Sequence, residues 1–276
     1  MIPPSGEQHE LVCGDRHAVV VEIGGGLRTY GDVLDGYGLD EMCTSGRGQV
    51  LAPWPNRIVD GVYDFDGQRH QLALSEPARQ TAIHGLVRWA SWRAVERDEA
   101  RVVLEHVLHP QPGYPFTLRL RVDYRLGADG LTVRTSAENI GPTACPFGCG
   151  HHPYIAPGAS TIDDLVVRIP GREPEPLGSK VLDTTFTDLE RDADGCWRLH
   201  AGGVTVWADE SWPYVHLFTG DPLPDVARRS LAVEPMTCPP NAFRTGEGLI
   251  RLEPGDRFEG TWGIQPASGP RAPAGA

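Results

Sequence analysis

Four short segments of this chain carry residues able to move protons or to hold hydroxyl groups. In Leu231-Ala232-Val233-Glu234-Pro235-Met236-Thr237-Cys238-Pro239-Pro240-Asn241 an apolar run ends in a carboxylate. A Glu leaving a buried strand is partly desolvated, which raises its proton affinity toward that of a useful base. Pro235 keeps Glu234 extended and is expected to stop the strand there. The alternative for this segment is a buried Glu paired with an arginine. In Cys145-Pro146-Phe147-Gly148-Cys149-Gly150-His151-His152-Pro153-Tyr154 a histidine in an extended His-Pro-Tyr turn is placed to donate a proton near neutral pH. The same segment invites a zinc reading through its cysteines and histidines. That reading is poor, because structural zinc takes a second ligand pair at tight spacing and none follows.

The other two segments have binding chemistry. Pro53-Trp54-Pro55-Asn56-Arg57-Ile58 sets a planar Arg donor beside an Asn amide on an approach kept extended by proline, and leads into Gly61-Val62-Tyr63-Asp64-Phe65-Asp66-Gly67. Such a pair can fix sugar hydroxyls or a carboxylate; equally, Arg57 can make a structural ion pair. In His84-Gly85-Leu86-Val87-Arg88-Trp89-Ala90-Ser91-Trp92 the Gly allows close approach of backbone or ligand. Trp89 and Trp92 offer flat faces of the kind that stack on sugar rings. The competing reading is a satisfied histidine at a strand end with two core tryptophans.

The elements that must position these residues read as strands. In Leu118–Leu126 the apolar and charged residues alternate with period two, and Gly127-Ala128-Asp129-Gly130 turns it into Leu131–Glu138. A second hairpin joins Val62–Phe65 to Gln68–Leu72 through Asp66-Gly67. Further strands are predicted at Arg101–Leu108, Val204–Ala208, Tyr214–Thr219, Ser230–Val233 and Arg257–Ile264, and a short helix at Asp183–Leu189. The 33 glycines and 25 prolines make up about a fifth of the 276 residues, against an ordinary sum of about 12 %. Few windows are left for long helices. The expectation is one all-β domain over 1–265, mostly antiparallel, with a disordered tail at 266–276.

Taken in order, the segments resemble the aldose 1-epimerase, or galactose mutarotase-like, family. The resemblance runs from about Gly48 to Ile264 and rests on Asn56-Arg57-Ile58 with its Gly-x-Tyr-x-Phe-x-Gly hairpin, His84-Gly85, Gly150-x-His152-Pro153-Tyr154, Leu182-Asp183-Thr184-Thr185-Phe186 and Glu234-Pro235-Met236-Thr237. It implies a β-supersandwich with an open sugar cleft. It further implies Glu234 as general base at the C1 hydroxyl and His152 as general acid at the ring oxygen. Arg57, His84 and Asp183 match sugar-binding positions, with Asn56 adjacent and Tyr154 completing the His-Pro-Tyr turn; no metal or organic cofactor is implied. Two features depart from the pattern. Leu86-Val87-Arg88 replaces the second Gly of many close galactose mutarotases and in part resembles hexose-6-phosphate epimerases. His151 precedes the expected His152, and Pro153-Tyr154 fixes the register in favour of His152.

The implied partner is a monosaccharide, a free glucose- or galactose-type aldose, with a hexose 6-phosphate or noncatalytic sugar binding as alternatives. A net charge of −12 with no Lys/Arg cluster argues against nucleic acid and anionic membranes. No apolar run reaches the ~18 residues of a membrane span, and six scattered cysteines do not form a secreted disulfide framework. The chain is expected to be cytoplasmic, with reduced and mostly buried thiols, as a monomer or weak homodimer.

Overall fold

The computed structural model describes residues 2–156, 158, 161–223 and 226–267. Among these, every ladder between strands is antiparallel, and two large sheets dominate. The larger runs, in spatial order, Glu175–Pro176, Val166–Arg168, Trp197–Ala201, Val204–Ala208, Arg257–Pro266, Gly130–Asn139, Leu118–Gly127, Arg101–Leu108, Arg93–Arg97. The smaller runs Asp183–Phe186, Tyr214–Phe218, Leu231–Met236, Gly150–His151, Val50–Leu51, with Tyr154–Ile155 also on Leu231–Met236. A three-stranded sheet of Gln8–Cys13, Arg16–Val21 and Leu27–Tyr30 precedes them.

The alternation read from the sequence is what buries the core. Leu118, Leu120, Val122, Tyr124 and Leu126 are all inside, while Arg121 and Arg125 face out. Each inward side chain of this size stabilises the fold by about 1.5–3 kcal/mol relative to leaving it in water. Trp197, Trp212 and Trp262 fill the same continuous core, which the N-terminal sheet joins through Leu11, Ala18 and Val20. On the outer face the charged residues pair across strands, as Arg101 with Asp123 and Arg121 with Glu105. Of the six cysteines, none is disulfide-bonded and Cys43, Cys145, Cys149 and Cys238 are buried. No helix of the described residues is long and apolar enough to cross a membrane.

Three local expectations are corrected. Asp183–Phe186 is a strand paired with Tyr214–Phe218 instead of a helix; Thr184, Thr185 and Phe186 suit a pleated surface better than a helical one. The strand of Glu234 does not stop at Pro235 but continues to Met236. Val233 donates to Pro153 and Thr237 to Cys149 on that side. The donor that Pro235 lacks therefore falls in the gap between Gly150–His151 and Tyr154–Ile155, where no ladder bond is lost. Finally, Pro266 still pairs with Val204 and the Ala267 N–H donates to Gly203, so the ladder reaches into the expected tail; its remainder, 268–276, lies outside the described residues.

Candidate active site

One row of side chains crosses the smaller sheet. The register sets Thr185 opposite His216 and His216 opposite Glu234. Gly150 opposite Met236 and Tyr154 opposite Ala232 bring His152 level with Glu234 on the far side. Cross-strand partners share a face, so Thr185, His216, Glu234 and His152 stand in line. The next row on that face holds Asp183, Phe218, Ala232 and Tyr154.

Glu234 is only 1 % exposed, with Oε1 3.5 Å from His152 Nε2 and Oε2 without a partner among the described residues. Burial raises its carboxyl to about 7 against the opposing pull of His216 and Arg57. His152 is pushed the other way, down to about 3, first by burial and then by His216, Arg88 and Arg47. Its ring stacks on Tyr154 at 4.9 Å and 10°, and the Arg47 guanidinium lies 4.3 Å from the centre of that tyrosine ring. The loop before Val50 seats the imidazole: Gly48 N–H donates to the His152 carbonyl, and a Cβ at Gly46 would come within 3.0 Å of His152 Cδ2.

His84 closes the site from a left-handed position, φ 60°, its ring edge-on to His152 at 5.2 Å. The backbone N–H of Asn56 donates to His84 Nδ1 at 3.1 Å, and His84 N–H donates back to the Asn56 carbonyl at 2.8 Å. Burial holds the ring well below its ordinary proton affinity. The neutral ring therefore keeps its proton on Nε2, as a donor. Arg57 bonds Glu76 at 2.7 Å and lies 3.6 Å from Asp183, while Asp183 bonds His216 Nε2 at 3.0 Å. The bond from His216, then the charge of Arg57, keep the Asp183 carboxyl far below the usual carboxylate range.

The seven residues matched to catalytic or sugar-binding positions, Asn56, Arg57, His84, His152, Tyr154, Asp183 and Glu234, line one open cleft. His151 is elsewhere, its Nε2 2.7 Å from Thr135 Oγ1 and its ring against Trp212 and Trp262. The stacking platform of Trp89 and Trp92 is not realised: Trp92 is buried in the core, Trp89 is exposed, and neither lines the cleft. Sequence reading missed His216 and Glu76. The signal for His216 was a titratable residue at an inward position of the apolar strand Tyr214–Phe218.

His84, His152 and Glu234 bring potential metal-ligand atoms within 4.8 Å of one another. The donor set does not fit a metal. The Nδ1 lone pair of His84 is taken by the Asn56 N–H and its Nε2 carries the proton, so that ring has no lone pair to offer. No cysteine joins this group among the described residues.

The family profile described as aldose 1-epimerase matches residues 16–265. The Escherichia coli K12 protein YihR is 34 % identical over an alignment covering 91 % of this chain and 90 % of its own. Among solved structures, the Slr1438 protein of Synechocystis sp. PCC 6803 superposes with a TM-score of 0.78 at 19 % identity, covering 98 % of both chains. The GalM/aldose epimerase homologue from C. elegans gives 0.78 at 16 % identity over 95 % of this chain and 99 % of that one. The architecture is the single-domain, mostly antiparallel galactose mutarotase-like supersandwich. With the profile spanning nearly its whole length, the chain belongs to the aldose 1-epimerase family.

Proposed function

We propose that the protein is a mutarotase that interconverts the α and β anomers of an aldohexose of the glucose or galactose type, using only its own acid and base. The observation that carries this reading is the facing pair Glu234 and His152, 3.5 Å apart in a buried row, with proton affinities displaced in opposite directions. Glu234 takes the proton of the C1 hydroxyl, and the electron pair of the broken O1–H bond forms the second C1–O1 bond of the carbonyl. The C1–O5 bond breaks, and O5 receives a proton from His152. Rotation about C1–C2 presents the other carbonyl face; O5 attacks, and each residue reverses its role. His84 Nε2–H, Arg57 and Asp183 supply donors and acceptors for the hydroxyls, and Tyr154 keeps the imidazole plane fixed. A noncatalytic sugar-binding protein has no need of an acid and a base together.

Polarimetry on freshly dissolved α-D-glucose and α-D-galactose tests the reading. Glu234→Gln is expected to lower kcat by roughly 10²–10⁴-fold while sugar binding persists. His152→Ala is expected to fall comparably and His151→Ala only mildly. Unchanged turnover in Glu234→Gln would end the proposed mechanism, and a reversed histidine ranking would move the acid to His151.

A further inference from the structure

The imidazole of His152 has little polar contact to hold it. Its Nε2 lies 3.5 Å from Glu234 Oε1, and no other residue hydrogen-bonds its buried Nδ1 among the described residues. A histidine that moves protons is ordinarily oriented by a partner on its second nitrogen. Here ring contacts do that work: Tyr154 stacks on the imidazole at 10°, and His84 meets it edge-on. Whatever fixes Tyr154 therefore fixes the imidazole. The Tyr154 hydroxyl donates to the Ser45 carbonyl at 3.0 Å, and the Arg47 guanidinium packs over the phenol ring.

Arg47 is itself gripped by Asp35. Its Nε donates to the Asp35 carbonyl at 3.2 Å, and its Nη2 to Asp35 Oδ2 at 2.8 Å and to Ser230 Oγ at 3.4 Å. The same Oδ2 accepts from the Ser230 hydroxyl at 2.7 Å and from Arg229 Nε at 2.9 Å. The Asp35 N–H donates to the Tyr154 carbonyl at 2.9 Å, so one residue holds both the tyrosine backbone and the cation on its ring. Ser230 immediately precedes the strand Leu231–Met236 that carries Glu234. The network thereby joins the support of the acid to the strand of the base. Arg47 does not line the cleft; it is only 3 % exposed, and its Nη1 has no partner among the described residues. A buried ion pair with an unsatisfied amino group is a poor way to stabilise a fold, since apolar side chains of similar volume often do as well or better. Its contribution is better sought in geometry.

We infer that Asp35 and Arg47 are positioning residues of the acid–base pair: their buried ion pair holds the Tyr154 ring, and through it the plane of the His152 imidazole, in line with Glu234. The inference rests on the mutarotase reading for what the imidazole does. The test is the double variant Asp35→Asn with Arg47→Met. Asn keeps an acceptor for Ser230 and Arg229, and Met fills the space of the arginine stem without leaving a buried charge unpaired. By polarimetry on α-D-glucose and α-D-galactose, kcat is expected to fall roughly tenfold or more. KM should stay within about threefold, because Arg57, His84 and Asp183 keep their own partners. Arg47→Lys, which keeps the charge and loses the planar fork, should give an intermediate kcat. Nitrogen-15 NMR spectra of the histidine side chains, recorded without sugar, should show the His152 signals displaced or doubled and those of His151 unmoved. Wild-type kcat in the folded double variant, a change confined to KM, or unmoved His152 signals would overturn the inference and leave the mutarotase reading standing. Failure of the double variant to fold would overturn it too, since the pair would then be a requirement of the fold. No acceleration of either sugar by the wild type would instead remove the mutarotase reading, and the His152 signals would then decide the positioning role alone.

Discussion

Burial acts on Glu234 and His152 in the same sense: it disfavours the charged form of each. In the proposed reaction, ring opening turns a carboxylate and an imidazolium into a carboxyl and a neutral imidazole. A cleft poor in water therefore favours the opened sugar more than bulk solvent would. The working pair carries one proton, which Glu234 holds up to about pH 7 while a second enters only toward pH 3. These behave as apparent values of the pair in kinetics. After subtraction of the spontaneous reaction, kcat/KM is expected to fall as pH rises through about 7; a rise between pH 6 and 9 would show that the shared proton is not required. The same shift costs stability. The folded value lies above the ordinary carboxyl value of 4.5, so the penalty is absent below 4.5, grows between 4.5 and 7, and is complete above about 7, at about 3 kcal/mol. Glu234→Gln is therefore expected to raise Tm at pH 8 but hardly at pH 4.5. Equal shifts at both pH values, read by calorimetry, would contradict this.

At the scale of elements, the site depends on backbone approaches that only glycine permits. A Cβ on Gly85 would lie 2.0 Å from the Ala52 carbonyl, and the residue sits at φ 71°. Gly85→Ala is expected to destabilise the fold by about 2 kcal/mol or more and to lower activity by displacing His84. Normal thermal stability in that variant would show that the Ala52–Gly85 bridge does not hold the histidine in place. The sequence made His84-Gly85 legible because the Gly marks such an approach. Alternation made the hairpin of Leu118–Gly127 and Gly130–Asn139 legible as well. It did not disclose that Asp183–Phe186 is a strand, since four residues give too little period to separate strand from helix. Nor did it disclose His216, whose role comes from lying between Asp183 and Glu234 across three strands. Local pattern has no access to register between distant segments. Pro235 misled for the same reason: whether a missing N–H matters depends on what faces it, here a gap in the neighbouring strand.

At the scale of the whole molecule, the N-terminal sheet and the large sheet share one core, and Tyr124 ties them by donating from its hydroxyl to the Gly25 carbonyl at 2.7 Å. Tyr124→Phe leaves that buried carbonyl unpaired and is expected to cost about 1–3 kcal/mol. Unfolding followed by tryptophan fluorescence and by far-ultraviolet circular dichroism should give coincident single transitions in wild type and variant. An early separate step would mean that residues 8–30 form a unit of their own. The fold also distributes its functions unevenly. Glu234 and His216 are pinned in hydrogen-bonded ladders, whereas Arg88 stands on a turn outside them. Because the ladders fix their register independently of that turn, substitutions accumulating there leave the alignment of Glu234 with His216 undisturbed. The rim of the cleft is thereby free to drift over generations while its floor is inherited intact.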